Sequence, residues 1–341
     1  MSNKDESPAC IDIREDDLLA LSAEVLETLL RDHTTGQNIF WATHDYEALG
    51  SEYDYHSEIL PHLITGEHGM VIRPRVLKSK EEQTDRAKDM AEVFTPSWVC
   101  NAQNNLVDEA WFGRKDVFNI EDTTNHTWKA YPNTIEFPEG KTWKDYVRAT
   151  RMEMTCGEAP YLVSRYDATT GDIIPLEQRI GLLDRKLRVI SENVDVSGEW
   201  LEWAQTAYKS IYGFEWQGDN LLLAREALLW TFIENYQAKF NKAPLIKSIK
   251  YIAYIISWNI WQMDGLKGVV PDSCHDVVSK NKETPQLDFF STEVPGKKGP
   301  KVIPCQGCTE DNIYKHNGIY CLIRDWPNDK KKIRFIDLIK H

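Results

Sequence analysis

Three short apolar runs, each ending in a small or acidic turn and separated by segments of helical length, constrain this chain more than any other feature. The first, Arg151 to Thr155, stops at Cys156-Gly157. The second, Ile211-Tyr212-Gly213-Phe214-Glu215, leads into a helix-like run from Asp219 to Phe240. The third, Asn259 to Met263, ends at Asp264-Gly265. Strands alternating with helices build a parallel, helix-covered sheet, so residues from about 90 to 270 read as an α/β unit.

In such a sheet ligands collect beyond the carboxyl ends of the strands, where small residues let backbone approach a nucleotide closely. A carboxylate at Glu215, after the second strand, suits ribose hydroxyls, and Trp216 can flank an adenine ring. Asp264, after the third strand, can accept from an exocyclic amine. Each position also has an ordinary reading: a strand-to-loop turn at Cys156-Gly157, a surface glutamate at 215, an Asp-Gly turn at 264.

The remaining pattern divides the chain into an N-terminal mixed region (1–90), the α/β unit (91–270, with an insertion at about 163–208) and a tail (271–341). Helices are predicted over Asp16 to Leu30, from just after Pro96 to Phe112, and over Trp143 to Ala149, Pro175 to Asn193, Gly198 to Ser210 and Leu245 to Ile256. Residues 119–140 read as loop. His44, His56, His62 and His68 lack metal-ligand spacing and read as structural.

Charge narrows the partners. Forty Lys and Arg against 53 Asp and Glu give −13, which argues against a broadly basic surface of the kind nucleic acid requires. Arg73, Arg75, Lys78 and Lys80 could form a local basic cleft or a solvated loop face. Twelve Trp and fourteen Tyr fit either a stacking surface or an aromatic-rich core. No apolar run reaches membrane-spanning length and no secretory signal opens the chain. The start, Met1 to Pro8, reads as disordered. Seven cysteines without regular pairing suit a reducing compartment, so the expected location is cytoplasmic.

Phe94-Thr95-Pro96-Ser97-Trp98-Val99 resembles the Phe-Thr-Pro segment that precedes the fold in gamma-class DNA amino-methyltransferases, including bacterial restriction endonuclease M subunits. Glu153 to Leu162 is similar to their Asp-Pro-x-Cys-Gly-Ser-Gly-x-Phe-Leu motif, with Glu153 at the Asp position and Tyr161-Leu162 at Phe-Leu. Gly213-Phe214-Glu215 with Ala224-Arg225 resembles their second motif, and Asp264 falls where the third places its acid. The resemblance implies a Rossmann-like S-adenosylmethionine (SAM) methyltransferase sheet, with cofactor contacts at Phe94, Thr95, Pro96, Cys156, Gly157, Glu158, Glu215, Trp216 and Asp264. DNA would be the acceptor, within a restriction-modification or defence system. The chain also departs from the family. Glu158-Ala159 replaces Ser-Gly, about forty extra residues separate the first two motifs, and the catalytic Asn/Asp-Pro-Pro-Tyr/Phe is absent. Asp272, after Pro271, is the candidate left for that role.

In the tail, Cys305-Gln306-Gly307-Cys308 has the spacing zinc prefers for two thiolates. Cys274 and Cys321 would complete one structural zinc site, with His316 as an alternative ligand; free buried thiols are the other reading. Three functions follow: a SAM-binding DNA methyltransferase-like protein, alone or completed by a partner subunit; a non-catalytic subunit or regulator binding a protein partner; and a methyltransferase acting on something other than DNA.

Overall fold

The computed structural model describes residues 11–89, 92–279, 301–328 and 331–339. The expectation for Met1 to Pro8 lies outside them. The first helical period breaks at Ser22, which is extended, into α1 (Glu15–Leu21) and α2 (Ala23–Leu30). Short 3₁₀ turns fill much of the chain up to α3 (Lys80–Asp89). The helix after Pro96 is α4 (Ser97–Phe112), and it stops at Gly113 in the left-handed region that favours glycine.

Residues 119–140, predicted as loop, contain an antiparallel hairpin of β1 (Asn119–Asp122) and β2 (Thr127–Ala130). Its sequence lacks apolar alternation because neither strand faces a deep core. Instead Gln178 anchors it, accepting from Trp128 Nε1 at 2.7 Å and from Ala130 N at 3.0 Å. Then come α5 (Trp143–Arg148), β3 (Arg151–Met154), α6 (Leu182–Asn193) and α7 (Ser197–Lys209). The helix expected from Pro175 therefore starts seven residues later. Gly181 precedes it, at a point where a Cβ would lie 2.3 Å from the Leu162 carbonyl oxygen.

Next are β4 (Ile211–Glu215), α8 (Gly218–Phe240), α9 (Ile246–Asn259) and β5 (Ile260–Gln262). Gly218 opens α8 because a Cβ there would sit 2.1 Å from the Phe40 carbonyl oxygen. The tail holds β6 (Val277–Ser279), β7 (Lys301–Ile303), α10 (Gln306–Glu310), β8 (Leu322–Asp325) and β9 (Lys331–Arg334).

β3, β4 and β5 form one parallel sheet in that order, with Glu153 opposite Gly213 and Glu215 opposite Gln262. A doubly wound sheet would continue beyond these three; among the described residues the other sheets are two-stranded and antiparallel. Pleating sends Ile211 and Ile260 to one face and Phe214 and Trp261 to the other. The first face carries the large core, in which α2, α6, α7, α8 and α9 meet. Residues from Ile13 to Ile72 belong to that same core, so the N-terminal region shares its packing with the α/β unit. The second face is covered by the tail: Phe214, Trp261, Met263, Val270, Cys321 and Ile323 form a separate apolar cluster. No helix among the described residues is long and apolar enough to cross a membrane.

Two buried cations knit the core. Arg225, with no exposed surface, donates to the carbonyl oxygens of Leu29, Arg31 (3.1 Å), Ser257 (3.3 Å) and Ile260 (2.8 Å). It thus joins the carboxyl end of α2 to the junction of α9 and β5. Burial lowers its pKa to about 10, which leaves it charged at neutral pH. Arg86 of α3 reaches Asp219 at the start of α8 (2.9 Å) and also Glu92 (2.7 Å). Lys78 adds a second cation 3.2 Å from Asp219, and the Tyr46 hydroxyl donates to the same carboxylate at 2.8 Å.

The basic run is thereby committed to internal carboxylates. Lys78 pairs with Asp219, Arg73 lies 3.3 Å from Glu82, and Arg75 lies 3.6 Å from Glu92 with its guanidinium over the Phe94 ring. Arg73 and Lys78 do line a cavity of about 410 Å³ with Arg86, but Asp45, Glu82 and Asp85 share it, so it is charge-balanced rather than basic, and Lys80 is exposed outside it.

Burial by itself would raise the Asp219 pKa, but Arg86 and Lys78 outweigh it and hold the carboxyl far below the usual range. A depressed folded pKa stabilises the fold above the unfolded value of about 4, and this is lost as pH falls below it. Asp219→Asn leaves the buried Lys78 without its anion and takes one of three carboxylates from Arg86, which keeps Glu92 and Asp45, and is expected to cost ~3 kcal/mol at pH 7. The gap between parent and variant melting temperatures should narrow on acidification from pH 4 to pH 2. A gap that does not change with pH would contradict this reading of the ion cluster.

Candidate functional site

The carboxyl ends of β3 and β4 open onto a cavity of about 440 Å³, within the usual range for small-molecule sites. After β3 the chain turns at Cys156, whose N–H donates to the Phe214 carbonyl at 2.8 Å. Gly157 follows with φ +50°, and its N–H donates to Glu215 Oε2 at 2.8 Å. Glu215 also accepts from Trp216 N at 2.9 Å and Gln217 N at 3.3 Å. On the neighbouring strand, Glu153 accepts from Tyr161 N at 3.3 Å and Leu162 N at 3.2 Å. Burial raises the pKa of both carboxyls, and these backbone donors oppose the shift.

Phe94, Thr95, Tyr161, Trp216 and Tyr55 supply most of the remaining wall, and Gln217 and Asn220 bring amide groups. No lysine or arginine lines the cavity among the described residues. Trp216 is oriented by a bond from its Nε1 to the Tyr55 hydroxyl at 2.9 Å. Burial first, and then the Asp272 carboxylate that lines the adjoining cavity, raise the Tyr55 pKa to about 12.

Six of the predicted contact residues line this one space: Phe94, Thr95, Cys156, Gly157, Glu215 and Trp216. Three do not. Pro96 caps α4, its carbonyl accepting from Val99 and Cys100. The Glu158 carboxylate accepts from Arg75 N at 2.7 Å and from the Tyr166 hydroxyl at 2.6 Å, which fastens the first turn to the N-terminal region. Asp264 folds onto its own turn, accepting from Leu266 N at 3.0 Å and Lys267 N at 3.1 Å. β5 contributes through Gln262, whose side-chain amide donates to the carbonyls of Phe40 and Trp216. Sequence reasoning missed His44, Tyr55, Gln217 and Asn220. The first two come from the motif-poor N-terminal region, where their only signal was a local wealth of histidine and tyrosine.

The tail brings a second set together. The Cys274, Cys305 and Cys308 sulfurs and His316 Nδ1 lie within 4.8 Å of one another. Cys274 Sγ is 3.4 Å from Cys305 Sγ, 3.7 Å from Cys308 Sγ and 3.5 Å from His316 Nδ1. Tetrahedral zinc with Zn–S near 2.3 Å and Zn–N near 2.0 Å sets ligand atoms roughly 3.5–3.8 Å apart, so these four can hold a metal such as zinc. A site with four protein ligands leaves no position for substrate and is structural in type.

Cys321, expected as a ligand, is buried in the second apolar cluster with its thiol directed at the Gln262 carbonyl at 3.4 Å. His316 takes its place because residues 312–320 fold back over the Cys305–Cys308 turn. Gly307 permits the approach: a Cβ there would be 2.6 Å from His316 Nδ1. Among the described residues this is the metal-type group, and His44, His56, His62 and His68 take no part in it. No protein-family model matches the chain, and no curated protein or solved structure matches it.

Proposed function

We propose that the chain binds S-adenosylmethionine at the carboxyl ends of β3 and β4 and acts as a methyltransferase-type protein on a Rossmann-like half-sheet. One observation carries this reading. The cavity presents three buried carboxylates, Glu92, Glu153 and Glu215, and several aromatic faces, and no lysine or arginine lines it among the described residues. Dinucleotides and nucleoside triphosphates bring phosphates that need cations or clustered backbone donors. A phosphate-free nucleoside carrying a sulfonium and an ammonium suits these walls better, with ribose hydroxyls donating to Glu215 and the ring against Trp216.

Titration calorimetry with SAM, NAD and ATP tests it. SAM is expected to bind and the two phosphate-bearing nucleotides are not. Glu215→Ala should weaken SAM binding at least about tenfold, since a hydrogen bond to a charged group contributes ~1.5–3 kcal/mol. Binding of NAD or ATP with none of SAM would reject the assignment.

A second reading, a subunit completed by another chain, is favoured by the sheet ending at three parallel strands among the described residues. The sequence resemblance implies DNA as acceptor. The purified chain alone is nevertheless expected to methylate duplex DNA weakly, because its basic run is paired internally and its net charge is −13.

A further inference from the structure

The cofactor cavity adjoins a second, more open cavity of about 780 Å³, and His44 and Tyr55 line both. Two kinds of group meet in this vestibule. Tyr55 lies between two imidazoles, with ring centroids 4.8 Å from both His44 and His56, and Phe40 stands 6.1 Å from His56. Around these rings are the carboxylates of Glu47, Asp54 and Asp272, and no lysine or arginine lines the space among the described residues. Aromatic faces ringed by carboxylates are the chemistry that recognises an ammonium group, and the same charge repels a phosphate backbone.

We infer that this vestibule is the methyl-acceptor subsite and that it takes a cationic primary amine, either the lysine side chain of a peptide or a free polyamine. The inference rests on the SAM reading of the neighbouring cavity. His44 stands at the junction, with Nδ1 2.5 Å from Glu47 Oε1. A carboxylate so placed orients the ring, the arrangement in which a general base is held. In the reaction the ammonium gives one proton to the His44 imidazole. The freed nitrogen lone pair then forms a bond to the methyl carbon of SAM. The carbon–sulfur bond breaks with its electrons on sulfur, which leaves a neutral thioether and a methylated ammonium. His44 returns its proton to water. Two cations must approach each other before transfer, and Glu47, Asp54 and Asp272 offset that repulsion.

The test uses the full chain, labelled SAM and three separate probes: spermidine, a lysine-containing peptide, and mixed-sequence duplex DNA at low salt. SAM affinity is measured in parallel by calorimetry. Label is expected in at least one amine probe at ten times or more the level in DNA, and the arm that reacts identifies the source of the amine. Glu47→Gln with Asp54→Asn, both outside the cofactor cavity, should lower amine methylation at least tenfold with SAM affinity unchanged. His44→Gln should lower the rate of methyl transfer to the amine even at SAM concentrations that saturate the variant. Label in DNA alone, or SAM binding without label in either amine, overturns the acceptor assignment and leaves the cofactor reading standing. Failure to bind SAM overturns both.

Discussion

Stripping metal from the purified protein with a chelator is expected to detach the tail from the sheet while the helical core stays folded. The four ligands come from three separate places: Cys274 before β6, Cys305 and Cys308 flanking the start of α10, and His316 beyond it. Among the described residues between them lie two three-residue strands and a five-residue helix, too little regular structure to persist alone. Apparent binding free energies of structural zinc in small peptides run to ~10–16 kcal/mol, so metal loss is the largest single perturbation expected here. Phe214 and Trp261 would become exposed, and hydrogen exchange should accelerate in residues 264–339 far more than in α6 to α9. The proposed SAM affinity should fall as well, because Asp272, two residues from Cys274, lines the adjoining cavity with Tyr55, which orients Trp216. Gly307→Ala, which pushes a methyl group against His316, should lower metal retention without touching a ligand. Purified protein with no zinc and freely titratable thiols would rule out the site.

The second large effect is expected at Arg225. Methionine fills similar space but leaves the carbonyls of Leu29, Arg31, Ser257 and Ile260 buried without their donor. Removing one partner of a buried charged network costs ~3–5 kcal/mol, and Arg225→Met should lower the denaturant midpoint accordingly. Arg225→Lys should recover little, since a compact ammonium cannot span four acceptors on three chain segments. The loss should be local at first, with α2 exchanging amide protons ahead of α8. A variant within about 1 kcal/mol of the parent would mean that water satisfies those carbonyls.

The three parallel strands and their connecting helices were legible because apolar periodicity changes sharply at Thr155, Glu215 and Met263. The turns after the first two strands converge on one cavity for the same reason, since parallel strands place their carboxyl ends together. Asp264 shows where that logic stops. An Asp-Gly turn and a ligand acid look alike in sequence, and here the carboxylate closes its own loop onto Leu266 and Lys267. The choice between Cys321 and His316 was equally hidden, because spacing along the chain does not say which of two candidates folds back. The close approach of Gly307 to His316 is the physical reason, and it exists only in three dimensions. The hairpin at 119–130 was missed because its strands are held by Gln178 rather than by a buried apolar face.

A sheet clothed on one side by its own crossover helices and on the other by residues near 320 has a consequence for synthesis. Trp261 and Met263 leave the ribosome about sixty residues ahead of Ile323, and Phe214 earlier still, an interval of at least roughly 3–12 s at ordinary elongation rates. Throughout it the nascent chain carries a finished helical face and a bare apolar one. During those seconds the uncovered face is open to aggregation, so the yield of native protein depends on chaperone capacity as well as on the stability of the completed fold.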